Sequence, residues 1–138
     1  MTTWDEVRVH VGTTFKLIYD QPTWSVLRWR FGAEDVDQRI EVSEAYREPW
    51  LQVVTDVVDQ RGLDPHVALE RSLTLAMGSL AIERWRYKLR CTLPVATLHL
   101  PDLDRWIELL ARESLALRRA IVQRRGSPDA IAFSNYAD

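Results

Sequence analysis

The chain has a single cysteine, Cys91, in 138 residues. That excludes an internal disulfide, and with it the small secreted domains held together by disulfides; a reducing compartment is expected. The five glycines are scattered, so neither G-x-G-x-x-G nor a P-loop can be assembled, and no cradle for a nucleotide's phosphates is encoded. No stretch approaches the ~20 apolar residues of a membrane helix. Asp5, Glu6 and Arg8 stand where the apolar part of a signal peptide would lie, so a soluble, cytoplasmic protein is expected. Charge of one sign is also missing. With 18 basic and 20 acidic residues the net charge is −2, which leaves no broad positive field to hold nucleic acid or an anionic membrane.

Reactive constellations are equally scarce. His10, His66, His99 and Cys91 are far apart, with none of the short paired spacings that bind zinc. No G-x-S-x-G nucleophile turn occurs. Cys91 falls in an expected strand, where a free cysteine usually serves as a small buried hydrophobe. The pairs Asp35 with Asp37 and Asp102 with Asp104 read as a loop and a helix cap rather than an acid and its base. No catalytic residue, metal site or cofactor is expected, and the chain is read as a non-enzyme.

Apolar residues make up 46% of the chain, enough for one core in one domain. At the start, "TTWDEVRVHVGTTF" holds two periods. Val7, Val9 and Val11 alternate as in a strand, whereas Trp4, Val7, Val11, Phe15 and Ile18 step at helical spacing. Thr3 and Glu6 match a capping box, and Asp5 and Glu6 suit the positive end of a helix dipole, so a helix is expected. "TWSVLRWRF" alternates Leu27, Trp29 and Phe31 against Arg28 and Arg30 and predicts a strand. "GAEDVDQ" reads as a loop, "RIEVSE" as a second strand and the β-branched "PWLQVVTDVV" as a third. Asp64 and Pro65 open a second helix that should run to about Gly78, with Val67, Ala68, Ser72, Leu75, Ala76 and Ser79 on one small-residue face. "LAIERWRYKLRCTLPV" reads as a hairpin turning at Glu83 to Arg86. Asp102 caps a long final helix carrying Leu103, Trp106, Ile107, Leu110, Leu117 and Ile121. The expected fold is α+β, a twisted antiparallel sheet of about five strands in the order α-β-β-β-α-β-β-α. One domain over 1–125 and a flexible tail over 126–138 are expected.

Six tryptophans are a heavy load, and tryptophan serves both cores and binding hot spots. Trp85, in a turn between charged neighbours, is the strongest candidate for exposure, followed by Trp24 and Trp50. "RWRF" and "RWRY" place Arg28, Arg30, Arg84 and Arg86 beside Trp29 and Trp85, a pattern able to grip carboxylates and apolar side chains of a peptide together. Arg28, Trp29, Arg30, Trp50, Arg84, Trp85 and Arg86 are therefore the candidate partner-binding residues. Leu75, Ala76 and Ser79 are the candidate dimer contact, since small residues let two copies approach closely.

The run "TWDEVRVHV", "QRIEVS", "PWLQVVTDV", "ALERSLTLAMGSLAI", "KLRCTLPVATL" and "LDRWIELLARESLAL", from Trp4 to Ile121, resembles the YbjN-like domains, relatives of the type III secretion chaperones. That resemblance implies an α+β fold, a homodimer and a binding role without chemistry. The expected function is a homodimeric protein- or peptide-binding module, chaperone-like or adaptor, acting by strand addition or through an aromatic-lined groove. The alternative is a small-molecule-sensing regulatory domain with Trp29, Trp50 and Arg28 around a pocket. Neither nucleic acid nor membrane is an expected partner.

Overall fold

The computed structural model describes the backbone of residues 1–126 and the side chains of residues 1–123. The tail expected from 126 onward lies, Gly126 apart, outside the described residues. The helical period of the opening prevails. Helix α1 (Trp4–Thr14) is capped by Thr3, whose hydroxyl accepts from the Glu6 N–H at 3.3 Å, and only Val7 and Val11 of its residues are buried. Trp4 ties the helix to the following turn by donating from Nε1 to the Pro22 carbonyl.

Six strands follow the first helix instead of about five. The added one is β1 (Leu17–Gln21). Ile18 belongs to it and not to the helical series, because the helix ends at Thr14, Phe15 is already extended, and β1 pairs antiparallel with β2 (Trp24–Phe31) across the turn at Pro22 and Thr23. The "GAEDVDQ" stretch is not a loop. Only Gly32 and Ala33 turn, Gly32 at φ 64, and strand β3 runs from Glu34 to Ala45. Gln38 had concealed it. A glutamine stands where the alternation of Val36, Ile40 and Val42 calls for an apolar residue, yet Gln38 is fully buried.

Burial of an amide is tolerable only when every polar atom is met. Gln38 donates from Nε2 to the Thr55 hydroxyl and to the Ile107 carbonyl, both at 3.0 Å, and its Oε1 accepts from Trp29 Nε1 at 2.8 Å. The network ties β2, β3 and β4 to the long helix at one register. Gln38→Leu orphans the Trp29 N–H and the Thr55 hydroxyl at little change in volume, so a loss of roughly 2–3 kcal/mol is expected. Urea unfolding with an unchanged slope will measure it.

Strand β4 (Glu48–Asp59) leads through a single 3₁₀ turn (Gln60–Gly62) to helix α2 (Pro65–Ser72), capped by Asp64 accepting from the His66 N–H. This helix stops at Ser72, well short of Gly78. Ser72 turns its hydroxyl to the Leu80 N–H at 2.9 Å, and the Thr74 side chain bonds back to the Arg71 carbonyl. The proposed helical face of Leu75, Ala76 and Ser79 therefore does not exist. Leu75 and Ala76 lie in the connection, and Ser79 opens β5 (Ser79–Glu83). Strand β6 (Arg86–Pro94) follows across the expected hairpin. Helix α3 (Leu100–Gly126) starts two residues before Asp102, which sits in its first turn 3.1 Å from His99 Nδ1 instead of capping it.

The sheet order is β1-β2-β3-β4-β6-β5, antiparallel throughout. Leu27, Ile40, Leu51, Val53, Tyr87 and Leu89 fill one face, against Val7 and Val11 of α1 and Leu103, Ile107, Leu110 and Leu117 of α3. His10 of α1 and Asp104 of α3 meet at 2.7 Å above this core.

Candidate functional site

Because side chains alternate across a strand, the residues between those core positions form the opposite face. On β2 these are Trp24, Val26, Arg28 and Arg30. On β3 they are Asp35, Asp37, Arg39 and Glu41, and the register sets Arg28 against Asp37 and Arg30 against Asp35. Arg28 grips Asp37 through both Nε (2.6 Å) and Nη2 (3.1 Å), and the Asp37 hydrogen bond and charge hold its guanidinium above the usual range. Arg30 reaches Asp35 at 3.1 Å.

Toward the other edge, Arg39 of β3 donates to both oxygens of Glu83 on β5, at 2.8 and 2.7 Å, and to Glu41 at 3.3 Å. In sheet order β4 and β6 lie between β3 and β5. A flat sheet would hold those two strands about 14 Å apart, so the pairing requires the sheet to curl. Under it lies a concavity of about 880 Å³ whose walls include Tyr19, Trp24 and Val26 at one end and Glu83, Arg84 and Lys88 at the other. No helical residue lines it. A smaller hollow of about 260 Å³ continues it past Val54 and Ala81 to Arg90.

Asp56 anchors the β4–β6 end. Burial raises its pKa, but hydrogen bonds from Arg86 (2.6 and 2.8 Å) and the charge and hydrogen bond of Lys88 (3.1 Å) outweigh that, and the net shift is downward. Arg118 of α3 adds a third cation at 3.3 Å, and also donates to the carbonyls of Val57 and Asp35 where β3 and β4 part. Arg86 is thus committed to holding the sheet's end together.

The remaining candidates divide. Arg28 and Arg84 line the concavity, and Arg30 shares its face. Trp29 points the other way, into the helix-covered side, where it stacks on Phe31 and meets Phe15 edge-on. The side chains of "RWRF" therefore cannot grip one ligand together. Trp50 donates from Nε1 to the Ala45 carbonyl at the β3–β4 turn and does not line the concavity, so Trp29, Trp50 and Arg28 do not converge on a pocket. Trp85 is 73% exposed in the β5–β6 turn. Both turn residues have positive φ, Arg84 at 48 and Trp85 at 68. That conformation suits Asn-Gly and strains bulky residues. Arg84 and Trp85 adopt it all the same, so the turn carries backbone strain that Asn-Gly would relieve.

Reasoning from sequence missed Tyr19, Val26, Arg39, Glu41, Glu83 and Lys88. The usable signal was the charged half of "EDVDQRIEV", every second residue of β3. Cys91 lies half-buried with its thiol pushed up by burial, and no group of three or more potential metal ligands occurs among the described residues. No helix among them is long and apolar enough to cross a membrane.

No protein-family model and no curated protein matches the chain. Solved structures do. A chain of the HopA1–SchA chaperone–effector complex aligns with a TM-score of 0.59 and 13% identity, over 83% of this chain and 91% of that one. A chain of the ExsC–ExsE complex aligns with a TM-score of 0.63 and 15% identity, over 88% of this chain and 97% of that one. At those identities the likeness is one of fold, and nearly the whole length shares it.

Proposed function

We propose that this chain is a non-enzymatic protein-binding module of chaperone-like character, a member of the YbjN-like group within that fold, that holds an extended segment of a partner. The observation that carries the reading is the curled, helix-free sheet face, which offers an open trough between two edge strands. An extended peptide can lie in such a trough or add to an edge, with main-chain hydrogen bonds supplying affinity and pockets supplying selectivity. The fold shared with chains from chaperone–effector complexes supports it. Arg28, Arg30 and Arg84 remain as contact residues for the partner, and Trp85 falls to the dimer contact described next.

The module works as a homodimer through the corner between α2 and β5. Leu69 and Leu73, one helical turn apart, are 68% and 88% exposed, and Ile82 on β5 and Trp85 in the turn after it are 51% and 73% exposed. Apolar side chains gathered in one stretch of chain are the usual mark of a contact surface. Screening by thermal shift tests the binding reading, and sedimentation the dimer. Peptides from a random display library, selected on the immobilised chain, are expected to raise the melting temperature, and a panel of metabolites is not. The reverse result would establish the sensor alternative. In sedimentation, Leu73→Asp with Trp85→Asp is expected to convert a dimer to a monomer that still unfolds cooperatively; a wild-type monomer at every concentration sinks the dimer.

A further inference from the structure

The trough is electrically lopsided, and resting on the reading above this names its partner. At the β2–β3 end Asp37 is matched by Arg28 and Asp35 by Arg30, and farther along β3 Arg39 serves two carboxylates, Glu41 and Glu83. At the β6–β5 end the balance fails. Asp56 is the one carboxylate shared by Arg86, Lys88 and Arg118. Both oxygens of Glu83 are taken by Arg39. Arg84 lines the trough, where its charge, after the Arg39 hydrogen bonds, helps hold Glu83 ionised, and Arg90 lines the continuation; neither side chain closes a hydrogen bond or ion pair with a described residue. On a chain whose net charge is −2, this end is a local excess of positive charge. A cation arriving there meets carboxylates that already hold a basic partner, whereas an anion meets guanidinium groups with donors to spare.

The opposite end is apolar, with Ile18 and Tyr19 of β1 exposed beside Trp24 and Val26. From β1 to β5 the sheet spans up to about 24 Å, the reach of about seven extended residues. A small carboxylate cannot bridge both ends. A single strand of nucleic acid would need aromatic faces interleaved with the cations; the aromatics lining the trough, Tyr19 and Trp24, sit at the far end from Arg84, Lys88 and Arg90, and Trp85, next to Arg84 in the chain, does not line it. We propose that the trough takes an extended acidic peptide segment, an apolar residue seated against Tyr19, Trp24 and Val26 and its carboxylates at Arg84, Lys88 and Arg90.

The test uses fluorescence anisotropy of the full chain with three labelled probes: a peptide of about eight residues with leucine and phenylalanine at one end followed by glutamates, the same peptide with lysines for glutamates, and an oligothymidylate. The acidic peptide is expected to bind at least about tenfold more tightly than the basic one, with affinity falling as salt rises. Arg84→Glu with Arg90→Glu should abolish that preference, and Arg84→Gln with Arg90→Gln should weaken it. Both positions are exposed, so circular dichroism should be unchanged. Equal binding of both peptides, tighter binding of the oligothymidylate, or an unaltered preference in a folded charge-reversed variant would overturn the inference. If display-selected peptides still bind in those cases, the protein-binding reading survives alone; if no peptide of any kind binds, both fall.

Discussion

Asp56→Ala is expected to lower stability by about 3–5 kcal/mol, the range for breaking a buried ion pair by removing one partner. The carboxylate is 15% exposed and receives Arg86, Lys88 and Arg118, so its loss leaves three cations facing one another at the seam of β4 and β6. Part of the penalty will be relieved as Lys88 and Arg86 swing toward water. Arg118, 16% exposed and held by two carbonyls, cannot follow. Urea unfolding measures the loss, and Asp56→Asn, which keeps acceptor and volume, should recover part of it. A loss under about 1 kcal/mol would show that the cluster behaves as an ordinary surface pair. The same carboxylate sets an acid limit. Its folded pKa lies below its unfolded one, so its contribution is complete above about pH 4 and is lost as pH falls through the folded value. In the alanine variant that part of the acid dependence should vanish.

The second large effect is expected at Gly78. Its φ is +70, and a Cβ built there would stand 2.5 Å from the Arg90 carbonyl oxygen and 3.1 Å from its carbonyl carbon. Left-handed backbone alone costs an L-residue roughly 1–2 kcal/mol. The clash adds to it, because the obstacle is main chain of β6, hydrogen-bonded to both β4 and β5, which cannot rotate away. Gly78→Ala is therefore expected to destabilise by about 3 kcal/mol or more, and to loosen β5. Hydrogen exchange should show faster amides across Ser79–Glu83 while those of β2 and β3 hold. Gly32, also at positive φ, meets nothing within 4 Å of a built Cβ, so Gly32→Ala should cost only the backbone term. Equal losses at the two positions would contradict the assignment of the difference to the β6 carbonyl.

What could be read from the residues depended on how locally each feature is determined. The Thr3 cap and the Asp64-Pro65 start are written in a few adjacent side chains, and the β5–β6 hairpin in the strand patterns on either side of its turn; each is where it was expected. Strand β1 has no such writing. Ile18 continues the helical spacing of Trp4, Val7, Val11 and Phe15, and only pairing with β2 makes it extended. Gln38 broke the apolar alternation of β3 because its partners, Trp29, Thr55 and Ile107, lie 9 to 69 residues away. The end of α2 was hidden for a similar reason, since Ser72 finds its partner only after the chain has turned into β5. The arginine-rich motifs drew attention to the right face, but alternation sent Trp29 through to the other side. The floor of the trough depends on the curl that brings Arg39 to Glu83, and curvature of a sheet is a property of all its strands together.

The strand order carries a consequence for synthesis and refolding. Strands β1 to β4 form a simple meander, each beside its neighbour in the chain, while β4 must wait for β6, which follows α2 and β5. During that interval the free edge of β4 presents Val53, Val54, Val57 and Val58, a β-branched run with its main-chain hydrogen bonds unmet. Such an edge can capture the same edge of another unfinished molecule, so yield on refolding should fall with protein concentration even where the finished fold is stable. Asp56, set in the middle of that run, then acts as a gatekeeper as well as an anchor.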